Sequence, residues 1–189
     1  MMNLSNSQSA AAALYDGGWR SSDRERTKAM YEVWDCSSSN LTELDVSGRT
    51  ALVELNCKCN NLTSLDVNSN TALEGLYCAS NNLTALDVSN NPALMYLDCR
   101  NNRLTELDVS SNTALDELGC SNNNLTKLDV SGCTQLKYLD CRNNNLNELD
   151  LSSCTELEKL DCRNNNLTSI IVPAHTHVLC DAGVAVTRK

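Results

Sequence analysis

One spacing governs this chain. Leu41, Leu62, Leu83, Leu104, Leu125, Leu146 and Leu167 follow one another at intervals of twenty-one residues. Cys36, Cys57, Cys78, Cys99, Cys120, Cys141 and Cys162 keep the same step, and so do Asn60, Asn81, Asn102, Asn123, Asn144 and Asn165. So strict a period is the signature of a solenoid, in which each repeat buries its apolar side chains only by stacking on its neighbours. Residues twenty-one apart are expected to lie over one another at the inter-strand spacing, about 4.8 Å.

Taking each of those leucines as position 1, leucine recurs at positions 4, 12 and 15, valine or leucine at 6, and cysteine at 17. Apolar and polar residues alternate at 4–5–6 and again at 15–16–17, which reads as a short strand on each of two flanks. Asparagine marks the corners between them, because its side chain both donates and accepts and can satisfy backbone groups of successive turns. At the second corner Asn70, Asn91 and Asn112 give way to Cys133 and Cys154, read as structural replacements, and Arg49 departs from the pattern. Free cysteine behaves as a small buried hydrophobe, and side chains stacked in parallel are poorly placed for a disulfide dihedral. The inward cysteines are therefore expected to be reduced thiols. Cys59, just outside the ladder, is the expected exposed and reactive one.

The pattern L-x-x-L-x-C-x-x-N-x-L, seen in Leu136-Lys137-Tyr138-Leu139-Asp140-Cys141-Arg142-Asn143-Asn144-Asn145-Leu146, resembles the leucine-rich repeat over roughly residues 31–180. With the phrase Leu62-Thr63-Ser64-Leu65-Asp66-Val67, it is most similar to the cysteine-bearing repeat of internalin-J-like bacterial surface proteins. The resemblance implies a mainly β fold: a right-handed leucine-rich-repeat solenoid of parallel strands. It also implies that the chain binds other proteins, with the inner, cysteine-bearing sheet as the usual binding surface.

The expected division is a small helical N-terminal cap over residues 1–30, the solenoid over 31–172 and a C-terminal cap strand over 173–189. Ser22 and Glu25 form a capping box for a short helix in the first segment, where Leu14, Tyr15, Trp19 and Met30 would shield the end of the core. Tyr31 to Cys36 reads as a degenerate first coil, with Tyr31 and Trp34 in leucine positions. Pro173 removes a ladder donor, His175 to Cys180 reads as a shortened last strand, and Asp181 to Val186 as cover for the lower edge.

A net charge of −9 argues against direct nucleic-acid binding, which requires a basic face. No stretch is long and apolar enough to span a membrane, and the start of the chain lacks a signal-peptide core. A cytoplasmic, reduced, monomeric protein is expected. Asn-Leu-Thr at Asn40, Asn61, Asn82, Asn124 and Asn166 would offer glycosylation acceptors on a eukaryotic secretory route, which tight stacking is expected to oppose. No nucleophile–base–orienter set and no phosphate-cradling loop is present, so neither enzyme activity nor a cofactor is expected. His175, His177 and Cys180 could ligate zinc only with Asp181 or a distant cysteine as the fourth ligand, and read as ordinary end-strand residues. The aspartates at position 5 (Asp45, Asp66, Asp87, Asp108, Asp129 and Asp150) would repel by about 0.9 kcal/mol per adjacent pair in water. Hydrogen bonds from the residue two further on are expected to compensate them, with a calcium-lined edge as the alternative.

The outward positions 14, 16 and 18 of the cysteine-bearing strand form the candidate partner-binding face. They vary from coil to coil while the inward columns do not. Tyr77, Tyr96 and Tyr138 are expected to be exposed there, together with Asp98, Arg100, Asp140, Arg142, Asp161 and Arg163. Tyrosine and arginine dominate interface energetics. The plainer alternative is a solvated sheet whose Asp–Arg pairs each contribute about 0–1 kcal/mol. On the face reading, replacing Tyr96 and Arg100 by alanine should abolish partner capture with little change in melting temperature. Two other roles fit the same sequence. One is an acidic inhibitor, bacterial or phage-borne, that places its aspartate column in the basic groove of a nucleic-acid-handling enzyme. The other is a fragment of a bacterial surface adhesin.

Overall fold

The computed structural model of the protein describes residues 32–189; the expected helical cap over 1–30 and Tyr31 lie outside them. Twelve short strands and no helix make up the described residues. β1 (Glu32–Asp35), β2 (Leu52–Asn56), β3 (Gly75–Tyr77), β4 (Tyr96–Asp98), β6 (Glu117–Gly119), β8 (Tyr138–Asp140), β9 (Lys159–Asp161) and β11 (His177–Leu179) form one parallel sheet in that order. The opposite flank has strands in only part of its length. There β5 (Glu106–Asp108) pairs with β7 (Lys127–Asp129), and β10 (Ser169–Val172) with β12 (Ala185–Arg188).

The register follows the twenty-one-residue step. Trp34, Leu55, Leu76, Leu97, Leu118, Leu139 and Leu160 are successive partners along the main sheet. Leu160 then pairs with Val178, so the last coil is three residues short (178 − 160 = 18). β12 lies along β10 and is itself the exposed edge of that flank. Between the flanks, Leu55, Leu76, Leu97, Leu118 and Leu139 have at most 2% exposure, each such leucine contributing about 1.5–3 kcal/mol by burial. All eleven cysteines are free thiols. The column from Cys57 to Cys162 is buried and Cys59 is exposed, because position 17 points inward and position 19 sits on the outer corner.

The first corner is closed by position 20. Asn102 Nδ2 donates to the carbonyls of Cys78 (3.1 Å) and Cys99 (3.0 Å), while its Oδ1 accepts from Leu83 N–H at 3.0 Å. The same bonds recur one coil later at Asn123. Just before position 20 the chain takes a left-handed conformation at Ser38, Cys59, Ser80, Asn101, Asn122, Asn143 and Asn164, with φ between 53° and 57°. Asparagine tolerates that region better than most side chains. Where Asn143 N–H donates to the Arg163 carbonyl of the next coil, Asn164 N–H donates to the Asp181 side chain of the shortened last one, Oδ2 at 2.7 Å.

The second corner uses position 9. Asn91 Nδ2 donates to Val67 O (3.0 Å) and Asn70 O (2.9 Å), but the Oδ1 atoms of Asn70, Asn91 and Asn112 are buried without a hydrogen-bond partner. Cys133 fills the place with a thiol that donates to Val109 O at 3.3 Å. Arg49, the other departure, turns outward. Its guanidinium lies over the Trp34 ring, 3.9 Å from the centroid, and is ion-paired with Glu32.

Each position-5 aspartate accepts a backbone N–H from two residues on: Asp45 from Ser47, Asp87 from Ser89 and Asp150 from Ser152, all at 2.9 Å. Bonds from the serine hydroxyl and backbone N–H hold the Asp45 carboxyl below the ordinary aspartate range; the backbone and hydroxyl of the matching serine do so for Asp87 and Asp150. The local turn therefore stabilises these charges, as the sequence suggested. The glycosylation argument needs correction. Asn40, Asn61, Asn124 and Asn166 are exposed, since position 21 points away from the stack, so stacking sets no obstacle to modification there.

Candidate functional site

The outer face of the main sheet is organised around buried carboxylates. Asp98 on β4 is fully buried. Arg100 Nε donates to its Oδ1 at 2.8 Å and Nη2 to its Oδ2 at 3.0 Å, while Lys58 Nζ reaches Oδ2 at 2.9 Å. Lys58 belongs to the coil two before Asp98, so its side chain crosses the intervening coil and passes over the Tyr77 ring, 5.0 Å from the centroid. Removing one partner of a buried ion pair typically destabilises by about 3–5 kcal/mol. This cluster therefore holds three coils in one register.

A second cluster lies toward the C-terminal end. Arg163 grips Asp161 through Nε (2.9 Å to Oδ1) and Nη2 (2.6 Å to Oδ2). Arg142 sits more loosely between Asp140 (3.4 Å) and Asp161 (3.5 Å). The two acids titrate in opposite directions. Burial raises the Asp140 carboxyl, with Arg142 only partly opposing it. Burial also acts upward on Asp161, but its bonds to Arg163 and the nearby Arg142 charge outweigh that and hold it below the usual range. On the same strand as Asp140, Tyr138 Oη donates to Glu158 Oε2 at 2.9 Å. That bond raises the phenol above its ordinary value.

Two expectations about exposure require correction. Tyr77 is not on the surface: it is 2% exposed. Gly75, two residues earlier, has no side chain, and the Tyr77 ring lies across it, 3.1 Å from where a Cβ would stand. Lys58 covers the other side. Tyr96 and Tyr138 are half-buried rather than fully exposed. Asp98, Asp140 and Asp161, expected among the outward contacts, are 0–5% exposed beneath the longer arginine and lysine chains. The face thus brings Tyr96, Arg100, Tyr138, Arg142 and Arg163 toward solvent and draws the acids and Tyr77 under them. Sequence reading missed Lys58 and Gly75. Their signal was present in the columns: a long base two coils from an acid, and a glycine beside a bulky ring. His175 and His177 are exposed at the end of the stack, and among the described residues no three histidine, cysteine, aspartate or glutamate side chains converge on a metal position.

Comparison with known families decides the class. The pattern described as "Leucine Rich repeats (2 copies)" matches residues 113–153 and 134–174, and "Leucine Rich repeat" matches 58–75. The chain is a leucine-rich-repeat protein. Its repeats are twenty-one residues long with an inward cysteine closing the strand, and they wind as a right-handed solenoid.

Among solved leucine-rich-repeat structures, the chain is similar to the functional domain of InlJ from Listeria monocytogenes, described as including a cysteine ladder. Identity is 31%, covering 82% of this chain and 48% of that one, with a TM-score of 0.47. It is also similar to internalin C2 from Listeria monocytogenes (20% identity, 83% of this chain, 80% of that one, TM-score 0.65). A third likeness is to the LRIM1/APL1C complex (24% identity, 75% of this chain, 28% of that one, TM-score 0.65). The chain thus spans about half the length of the InlJ domain and just over a quarter of the LRIM1/APL1C chain. No curated protein matches the sequence significantly. No helix among the described residues is long and apolar enough to cross a membrane.

Proposed function

We propose that this chain is a non-catalytic recognition module that holds a partner protein on the outer face of its eight-stranded sheet. Tyr96, Arg100, Tyr138, Arg142 and Arg163 make the contacts; Tyr77, Asp98, Asp140 and Asp161 fix where those side chains stand. One observation carries the reading: Arg100 and Arg163, on the same face of one sheet, are each anchored by a buried carboxylate. Side chains held in place lose less entropy on binding, and these are the residue types that dominate interface energetics. The LRIM1/APL1C assembly is consistent with such a role for the fold. We place the monomer in the cytoplasm, without nucleic acid or membrane as its partner, because eleven unpaired thiols suit a reducing compartment.

The test is capture of a partner from extracts of the source cells by wild type and variants. Arg100→Ala is a poor probe after all, since it would strip a buried aspartate of its bidentate partner and lower stability. Tyr96→Ala combined with Arg163→Ala is the better variant. It is expected to weaken capture by roughly tenfold or more. Removing Arg163 also strips Asp161 of two bonds, but Arg163 is 44% exposed against 18% for Arg100, so the melting temperature should fall less than for Arg100→Ala. Undiminished capture by this variant sinks the assignment of the face. Capture lost instead on Asp87→Asn with Asp129→Asn would move the site to the opposite, acidic flank.

A further inference from the structure

Two guanidinium groups converge on a single oxygen at the C-terminal end of the face. Arg163 Nη2 stands 2.6 Å and Arg142 Nη1 3.5 Å from Asp161 Oδ2. Like charges this close repel, and what holds them is the carboxylates below, whose side chains are only 6% (Asp140) and 4% (Asp161) exposed. The arginine side chains are 39% and 44% exposed. A guanidinium carries five N–H donors in a planar fork. Arg163 uses the Nε–Nη2 edge on Asp161, so its Nη1–Nη2 edge is directed away from that carboxylate. Within this cluster, an approaching group therefore meets N–H edges before it meets the acids beneath them.

Resting on the reading of this face given above, we propose that Arg142 and Arg163 anchor a carboxylate from an acidic segment of the partner. An aspartate or glutamate side chain would bridge the two guanidiniums from the solvent side as Asp161 bridges them from beneath. Paired guanidinium–carboxylate bonds are both strong and geometrically selective. The charge balance favours a singly charged group. Asp181, fixed beside Arg163 by its bond to Asn164 N–H, joins Asp140 and Asp161 to make three carboxylates against the two guanidiniums of Arg142 and Arg163. A dianionic phosphate would meet more repulsion there than a carboxylate does. The polarity is opposite to that of the aspartate flank: this face takes an acid, although the whole chain carries −9.

The experiment uses the full chain and a fluorescent hexaglutamate peptide, followed by anisotropy at low salt, where charge pairing is least screened. A phosphoserine peptide of equal length and inorganic phosphate serve as competitors. Wild type is expected to bind hexaglutamate and Arg142→Gln/Arg163→Gln to lose roughly tenfold or more. Arg163→Lys, which keeps the charge and loses the fork, should lose several-fold. Lys127→Gln, an exposed base on the other flank, should stay within about twofold. The proposal is overturned by absent wild-type binding, by unchanged binding in the double variant, or by equal loss in Lys127→Gln. Wild-type affinity in Arg163→Lys would overturn the bridging fork, and preferential displacement by the phosphoserine peptide or phosphate would overturn the carboxylate. Melting curves of each variant separate lost binding from lost folding. If hexaglutamate fails while Tyr96→Ala/Arg163→Ala still loses its captured partner, the acidic segment falls and the face stands; if that variant keeps its partner, the face itself falls.

Discussion

Three coils turn both corners on asparagine, and the two corners differ in one bond. At position 20 the amide works at both ends: Asn102 donates to two carbonyls through Nδ2 and accepts Leu83 N–H through Oδ1. At position 9 only the donor end works, and the Oδ1 atoms of Asn70, Asn91 and Asn112 are buried and unanswered. A corner that needs an acceptor and several donor hydrogens admits no other small side chain. A corner that needs only a donor can use a thiol. This is why position 20 stays asparagine from Asn60 to Asn165 while position 9 changes to Cys133 and Cys154.

The comparison is broken most forcefully at the first corner. Asn102→Cys leaves a buried N–H without an acceptor and at least one carbonyl without a donor, and should destabilise by roughly 2–4 kcal/mol. Chemical denaturation would show it as a lower midpoint at unchanged slope, and a loss below about 1 kcal/mol would end the distinction. Next comes Gly132→Ser, beside Cys133. Position 8 is serine in other coils, at Ser69, Ser111 and Ser153. A Cβ at Gly132, however, would lie 1.8 Å from Ser110 O, so the backbone must shift. About 1–3 kcal/mol is expected, and a neutral result would show that the thiol corner is no tighter than its neighbours.

Alkali should separate the corners by chemistry, since thiols titrate and amides do not. Burial pushes Cys133 up to about 12 and Cys154 to about 11, and it pushes Cys57 and Cys162 in the core column to about 12. Unfolded thiols release their proton near 9, so folding holds protons that the unfolded chain has lost. Stability is fully present below about pH 9 and is lost as pH climbs toward the folded values. Melting temperatures between pH 8 and 11 should fall for wild type and fall less steeply for Cys133→Asn/Cys154→Asn. Identical slopes would exclude the corner thiols as contributors. The smallest effect belongs to Asn112→Cys. It trades an unanswered oxygen for a single donor and should stay within about 1 kcal/mol of wild type.

The period made the inward columns and both corners legible, because stacking forces residues at one position into one environment. The state of the outward face was not legible in the same way. Alternation places Asp98, Asp140 and Asp161 on the outside of the sheet, which is correct, yet they are buried. Longer side chains from their own and neighbouring coils lie down over them, and that depends on the pairing of Lys58 with Asp98 across an intervening coil. Tyr77 is covered for the same reason, with Gly75 supplying the space. The second flank differs too. Alternation predicts a strand in every coil, but among the described residues paired strands occur on that flank only at β5–β7 and β10–β12.

The first-corner bonds connect like positions in successive coils. Asn81 serves Leu62 as Asn102 serves Leu83 and Asn123 serves Leu104. Length and identity are thereby uncoupled in this molecule. Excising residues 105–125 as a block would bring equivalent atoms together at the new seam, whereas deleting any one of those residues would put every later side chain out of phase.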